Sequence, residues 1–347
     1  MSRFPRFLLG AASALALLAA AGGLAFWVGR VASLSPGPLE TQRQVVVPRG
    51  GTETIAAALA EQGVIANPRF FALVAWLTRD AGPLRAAEFT FPAGVSLQDV
   101  LHILREGRAV QHRLTIPEGL TARQIGSLIA GAEALRGEMP AIDEGEVLPE
   151  TYAYQRDDER AALVRRAEAA MSRALADAWK ARAPDLPLAT PREALILASI
   201  IERETGKPEE RARVAAVFIN RLRRGMPLQA DSTVAYAAAD GGVLDRPLSR
   251  ADLERDSPFN TYRRSGLPPA PIASPGRETL RAATRPDTTD ELYFVADGTG
   301  GHAFARTLEE HNRNVARWRE GRQGGAGAAG GAAGGGAAGG GAAGGRP

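Results

Sequence analysis

Phe7 to Val28 runs for 22 residues without a charge, FLLGAASALALLAAAGGLAFWV. At a rise of about 1.5 Å per residue, about 20 apolar residues cross the hydrocarbon core of a bilayer. Arg3 and Arg6 precede the run and Trp27 sits at its far end. Positive charge on the N-terminal side predicts a cytoplasmic N-terminus (1–6), a transmembrane anchor (7–28) and everything after it outside. A cleaved signal peptide, cut near Ala19–Ala21, is the competing reading. Its apolar core is ordinarily about 7–15 residues, and the longer run here favours a retained anchor.

The rest of the 347 residues is long enough for about two domains. Lys+Arg is 42 against Asp+Glu 39, a formal net charge of +3, and only Lys180 and Lys207 are lysines. So small an excess excludes a nucleic-acid footprint, and no nucleic-acid partner is expected. The absence of cysteine excludes disulfides, thiol catalysis and Cys-based metal centres. The four histidines (His102, His112, His302, His311) lack metal-ligand spacing, so neither a metal nor a cofactor is expected.

LSPGPLET (Leu34–Thr41) reads as a tether within a linker over 29–43. At the other end, Gly324–Gly345 is Gly and Ala alone and holds 13 of the 39 glycines. With no side chain beyond methyl it cannot build a core, and 321–347 is expected to be a disordered tail.

Between these ends a pattern echoes. Val47-Pro48-Arg49-Gly50, Phe91-Pro92-Ala93-Gly94 and Ile116-Pro117-Glu118-Gly119 each precede a helical stretch. Each predicts a strand, a Gly turn and a helix started by Thr52, Ser96 or Thr121 and ended at Gly63, Gly107 or Gly131. The irregular spacing argues against a solenoid. The first pair (44–115) resembles a LysM-like glycan-binding unit; a plain α/β spacer that lifts the next domain off the membrane fits equally. Further on, Asp157–Ala183 has Leu163, Ala167, Met171, Leu175 and Trp179 at helical steps, a core stripe.

Pro191–Thr205 predicts a helix buried all round, with Leu195, Ile196, Leu197, Ile200 and Ile201 on several faces. Glu202 follows that run on the face of Leu195, Ala198 and Ser199. Desolvation there raises a carboxyl pKa, as a general acid requires. The bland alternative is a helix-end ion pair, with Arg203 or Arg213. Glu204, about 200° around the helix, is expected to face solvent or pair with Arg211. Leu228–Thr233 reads as a polar loop and LYFVADGTGGHAF as a hairpin of Leu292–Ala296 with His302–Phe304.

ASIIERETG, VAAVFINRLRRGMPLQADSTVAY, LSRADL, SPFNTYRRSGLPPAPIASPG and YFVADGTGGHAFARTLEEHN, with the earlier EGEVLPETY, resemble the YceG-like endolytic murein transglycosylases from Gln44 to about Trp318. The resemblance implies an α+β fold. A membrane-anchored chain would carry a small LysM-like α/β module followed by a mixed α/β catalytic region (116–320). It implies cleavage of the MurNAc–GlcNAc β-1,4 bond of nascent glycan strands, leaving 1,6-anhydro-MurNAc ends and terminating elongation. It puts the catalytic acid on Glu202, the first acid of I-E-R-E-T. A surrounding saccharide shell is expected from Asn220, Gln229, Asp231, Asn260 and Tyr262. A buried Asn at a turn, an Asx-turn Asp and a core Tyr are the structural alternatives. Peptidoglycan strands and membrane peptidoglycan synthases are the implied partners. The bacterial inner membrane, with the C-terminal domain periplasmic, is the implied place. A hydrolytic muramidase using Asp231 as second carboxylate, and a non-catalytic glycan-binding scaffold, remain as alternatives.

Overall fold

The computed structural model describes residues 4–328; the remainder of the Gly/Ala tail and the first three residues lie outside the described residues. Two compact units divide the chain, one through His112 and one from Arg113.

The first unit opens with α1 (Phe4–Leu34), so residues expected to begin a linker continue the helix. Its segment Leu15–Leu34 is long and apolar enough to cross a membrane, and its large apolar side chains are exposed. Then follow β1 (Arg43–Val46), α2 (Thr52–Glu61), α3 (Pro68–Leu77), β2 (Glu88–Phe91) and α4 (Leu97–Glu106). β1 and β2 pair antiparallel, with Val45 opposite Phe89. Val45, Phe89 and Phe91 point inward with Ile55, Leu59, Phe71, Val100 and Leu104 to make the core. Helix α3 went unforeseen, although Asn67 caps it by accepting from Arg69 and Phe70 amides and Pro68 occupies the first turn. Ser96 caps α4 as expected, but Thr52 does not cap α2, where Gly51 takes that position.

The third echo opens the second unit. β3 (His112–Thr115) leads to α5 (Ala122–Ala130), and Thr121 with Gln124 forms a reciprocal capping box. Gly94 and Gly119, at φ 63° and 77°, make the turns that the motif needs. β3 pairs with β4 (Thr151–Tyr154). Next come α6 (Arg160–Lys180), α7 (Pro191–Glu204), α8 (Arg211–Arg223), α9 (Asp231–Ala238), α10 (Arg250–Glu254) and α11 (Arg277–Thr284). β5 (Tyr293–Ala296) and β6 (His302–Ala305) form the expected hairpin, and α12 (Leu308–Ala328) ends the described chain.

Helix α7 is the axis of this unit. Thr190 caps it, Pro191 starts it, and every residue from Ala194 to Ile201 is buried against α6, α8 and α11. On α6 the inward stripe is Leu163, Ala167, Met171 and Ala174; Leu175 and Trp179 are only half-buried because the stripe drifts around a straight helix. Leu228–Thr233 is not wholly loop: from Asp231 onward it is the first turn of α9.

Candidate active site

Two acids emerge from the C-terminal end of α7 on opposite faces, and their surroundings differ. Glu204, the last helical residue, is buried at 8% exposure. Its Oε1 accepts from the Ser232 hydroxyl at 2.6 Å and the Ser232 amide at 3.4 Å. The donor sits in the first turn of α9, where free amides and the helix dipole favour an anion. Burial nevertheless dominates and pushes the Glu204 pKa above the usual carboxylate range. The nearby Asp231 charge adds to the rise, while the Ser232 bonds and His302 oppose it.

Around Glu204 lies a polar wall. Asp231 Oδ1 accepts from the Tyr262 hydroxyl at 2.5 Å. Burial first, then the Asp231 carboxylate, raises the Tyr262 phenol, so that it stays a donor. Gln229 adopts φ 51°, a left-handed conformation that costs a non-glycine residue about 1 kcal/mol or more. It is held there by its amide donating to Thr261 O at 3.1 Å and its Oε1 accepting from Arg221 Nη1 at 3.2 Å. Arg221 is itself 2% exposed and donates to Leu292 O at 2.6 Å and Leu228 O at 2.8 Å. Its guanidinium faces Tyr293 at 5.1 Å, and burial lowers its pKa from the usual value. His302 pairs through Nδ1 with Glu210 at 2.6 Å. Gln229, Asp231, Ser232 and Tyr262 are half-buried, so each keeps a face for a ligand, whereas the His302 side chain is 9% exposed.

Glu202 is the acid that the motif singled out, and its side chain is 4% exposed. Its Oε2 accepts from the Gly276 amide at 2.8 Å and its Oε1 lies 3.3 Å from Arg211 Nη2. The same nitrogen meets Glu118 Oε2 at 2.9 Å. Burial raises this pKa as well, with Glu118 adding to it, against the Gly276 amide and Arg211. The Thr279 hydroxyl lies beside the carboxylate but is not aligned to bond it. The expectation for Glu204 is therefore corrected: it is buried rather than facing solvent, and Arg211 pairs with Glu202 instead.

Of the five residues expected to form a shell, the structure gathers Gln229, Asp231 and Tyr262, and it gathers them at Glu204. Asn220 is elsewhere, donating to Thr289 O at 2.8 Å and Glu291 O at 3.0 Å to tie α8 to the hairpin. Asn260 is fully buried and brackets a turn, donating to Arg255 O at 2.8 Å and Leu253 O at 3.0 Å. Both satisfy backbone carbonyls that the loop would otherwise bury unpaired. Ser232, Arg221 and His302 also lie around Glu204, and the sequence pattern did not single them out. A further buried acid, Glu144, accepts from the Ala122 amide at 2.8 Å and the Tyr236 hydroxyl at 3.1 Å. Burial raises it, and also raises Tyr236 to about 12.

The chain is similar to proteins of known family. It is 30% identical over 307 residues to the endolytic murein transglycosylase of Bacillus subtilis, covering 79% of this chain and 84% of that one. It is 30% identical over 355 residues to the endolytic murein transglycosylase of Streptococcus pneumoniae serotype 2, covering 87% of this chain. It spans 63% of that protein, less than two thirds of its length. A crystal structure of a YceG-like protein from Listeria monocytogenes is 27% identical, with a TM-score of 0.48 over 79% of this chain and 99% of that one. The sequence profile of the YceG-like family matches residues 45–317, which is most of the chain, and the chain belongs to that family.

Proposed function

We propose that this chain is an endolytic murein transglycosylase with Glu204 as its acid and base. The observation that carries the reading is the buried Glu204 carboxyl facing the Asp231–Tyr262 pair. A carboxyl with a raised pKa holds its proton near neutral pH and gives it to a leaving oxygen. Protonated Glu204 donates to the glycosidic oxygen, and the bond from that oxygen to C1 of MurNAc breaks. The C6 hydroxyl of the same sugar attacks C1, and its proton passes to the Glu204 carboxylate. The products are a free hydroxyl end and a 1,6-anhydro-MurNAc end, no water is consumed, and Glu204 is protonated again. Intramolecular attack gains effective molarity, so no second carboxylate is needed as nucleophile. Asp231 supplies negative charge for the oxocarbenium-like transition state, and Gln229 and Tyr262 orient the sugar.

Glu202 is the second reading, favoured by its own raised pKa. Against it, both its oxygens are engaged, by Arg211 and the Gly276 amide, which suits a brace. Turnover of uncrosslinked glycan strands by Glu204→Gln and Glu202→Gln decides between them. Loss in the first alone supports Glu204. Loss in the second alone moves the role to Glu202.

The hydrolytic muramidase rests on Asp231 as a general base beside Glu204. Cleavage in isotopically labelled water separates it, because a hydrolase incorporates solvent oxygen at the new reducing end.

The same reading places α1 in the inner membrane as a single span, with the N-terminus cytoplasmic and both units periplasmic. The first unit, an antiparallel β1–β2 pair whose connection carries two helices, supports a LysM-like module over 44–115. Residues 116–320 form the catalytic region. Nascent strands at the membrane surface are then the nearest substrate, and a membrane-bound peptidoglycan synthase is the partner that supplies them.

A further inference from the structure

Helix α3 is apolar on two faces, and the core uses one of them. Phe71 and Ala75 point inward. Leu73, Trp76 and Leu77, on the other side, are 52%, 60% and 61% exposed. With Arg69 they follow at steps of four, three and one, which is a single stripe along the helix. A helix of a soluble domain ordinarily carries polar residues on that side. A contiguous exposed apolar patch marks a contact surface. No charge interrupts Phe70–Thr78, and an arginine stands at each end of it, Arg69 and Arg79. The Arg79 guanidinium lies over the Trp76 ring at 4.9 Å.

The position of this face follows from α1. The uncharged run ends at Val28, and the six further residues to Leu34 rise only about 9 Å along the helix. With 7–28 filling the hydrocarbon core, Leu34 lies at the outer edge of the headgroup layer. No slack follows it. Helix α1 packs on α4, and Ser33 and Leu39 are buried. The Gly37 amide donates to Gly94 O at 3.2 Å, and the Gly94 amide donates to Leu39 O at 2.7 Å. Gly37 also lies against the carbonyls of Val95 and Val64, so closely that a Cβ there would collide with the first. Val64 stands three residues before Asn67, the cap of α3. At the far end of α3, Arg105 of α4 donates to Ala75 O at 3.4 Å and to Thr78 Oγ1 at 3.0 Å. Helix α3 therefore begins beside the point where α1 enters the unit, and α4 braces both.

We propose that the Leu73–Trp76–Leu77 face of α3 docks on the bilayer surface, as a second membrane contact beside the span. The inference rests on the reading of α1 as a membrane anchor. Indole and leucine side chains enter the boundary between headgroups and acyl chains, while arginine heads stay among the phosphates. Anionic headgroups complement Arg69 and Arg79, and the stretch between them holds no acid to repel the surface. Held at the span and at α3, the first unit cannot pivot about the end of α1.

The absence of cysteine makes a single label possible. The full chain with Leu77→Cys is coupled to an environment-sensitive fluorophore and reconstituted in vesicles of phosphatidylethanolamine and phosphatidylglycerol. Leu77 is exposed, so the fold is not at stake. The emission is expected to shift to the blue and to be quenched by lipids carrying a nitroxide at the headgroup–acyl boundary. Adding Leu73→Ser and Trp76→Ser, both at exposed positions, should abolish the shift and the quenching. A label at Phe26→Cys, within α1, reports the span separately through nitroxides on the acyl chains. A quenched Phe26 label with an unquenched Leu77 label overturns the docking proposal and leaves the anchor standing. An unquenched Phe26 label with a quenched Leu77 label removes the anchor and supports the docking face. A Leu77 label that stays exposed in vesicles leaves the face to a protein partner and overturns the proposal. A blue shift that grows with the protein-to-lipid ratio and ignores the nitroxides marks a contact between copies of the chain and overturns it too.

Discussion

Ser232 gives both its hydroxyl and its amide to one oxygen of Glu204, at 2.6 Å and 3.4 Å. The last residue of α7 is thereby fastened to the first turn of α9, the helix that also presents Asp231. The acid's remaining oxygen is left for the rest of the site, and its position is fixed before any ligand arrives, which is the geometric condition for efficient proton transfer.

Glu204→Gln is expected to lower turnover of glycan strands by about 10² to 10⁴, the usual worth of a positioned acid/base group. The amide keeps the Ser232 contacts and cannot cycle a proton. Ser232→Ala should cost less, about tenfold, by loosening the carboxyl. The check is release of muropeptides by purified variants, measured by mass spectrometry. Full turnover in Glu204→Gln removes the residue from the mechanism.

Glu202→Gln is expected to keep turnover and lose stability. It leaves Arg211 with one carboxylate partner instead of two, at a cost of about 1–3 kcal/mol for a buried charged contact. Chemical denaturation monitored by circular dichroism reads this. An unchanged midpoint together with a dead enzyme reverses the assignment of the two acids.

The pH dependence of stability carries a sign. Burial holds the folded-state pKa of Glu204 above the 4.5 of a free glutamate side chain. Between the two values the folded chain binds more protons than the unfolded chain, so this group's contribution falls as pH rises above about 4.5. Glu202 and Glu144 have the same sign. The unfolding free energy of the native chain minus that of Glu204→Gln isolates the one group, and this signed difference should fall, against the native chain, as pH rises. A pH-independent difference contradicts a raised pKa. Activity should fall through the same interval as the acid loses its proton.

Arg221→Met is expected to destabilise by about 3 kcal/mol, since the carbonyls of Leu292 and Leu228 lose their buried donor. Gln229, left without the guanidinium, should leave its left-handed conformation, raising KM as well. Arg221→Lys restores charge without the planar fork and should rescue little. Denaturation midpoints and steady-state kinetics read the two effects separately.

Much of the fold was legible from local chemistry. The capped starts of α4 and α5, the buried α7 and the β5–β6 hairpin follow from Ser96, Thr121, the Ala194–Ile201 run and the Gly-rich turn. The site was legible only in part, and the two acids at the end of α7 explain why. Glu204 stands three, four and seven residues after Ile201, Ile200 and Leu197, each fully buried. By helical periodicity that is the more apolar face. The motif points to Glu202, while helical periodicity gives Glu204 the more apolar surroundings. Arg221 and His302 were beyond reach, because their roles depend on partners 71 and 92 positions away in sequence. Asn220 and Asn260 have the polarity of ligand-binding residues but serve backbone carbonyls, a distinction that only the three-dimensional path of the loops supplies.

The pairing of β1 with β2 has a consequence for how the chain acquires its shape. Arg43 meets Phe91 across 48 positions (91 − 43), whereas Ala296 meets His302 across 6 (302 − 296). Closing the longer loop costs chain entropy before any cross-strand contact repays it, while the short hairpin closes almost at once. In the first unit, α2 and α3 form locally and must wait for that closure before Ile55, Leu59 and Phe71 are covered. The rate at which this unit becomes native is therefore set by the meeting of two four-residue strands, and substitutions at Val45 or Phe89 should slow folding more than substitutions on the helices between them.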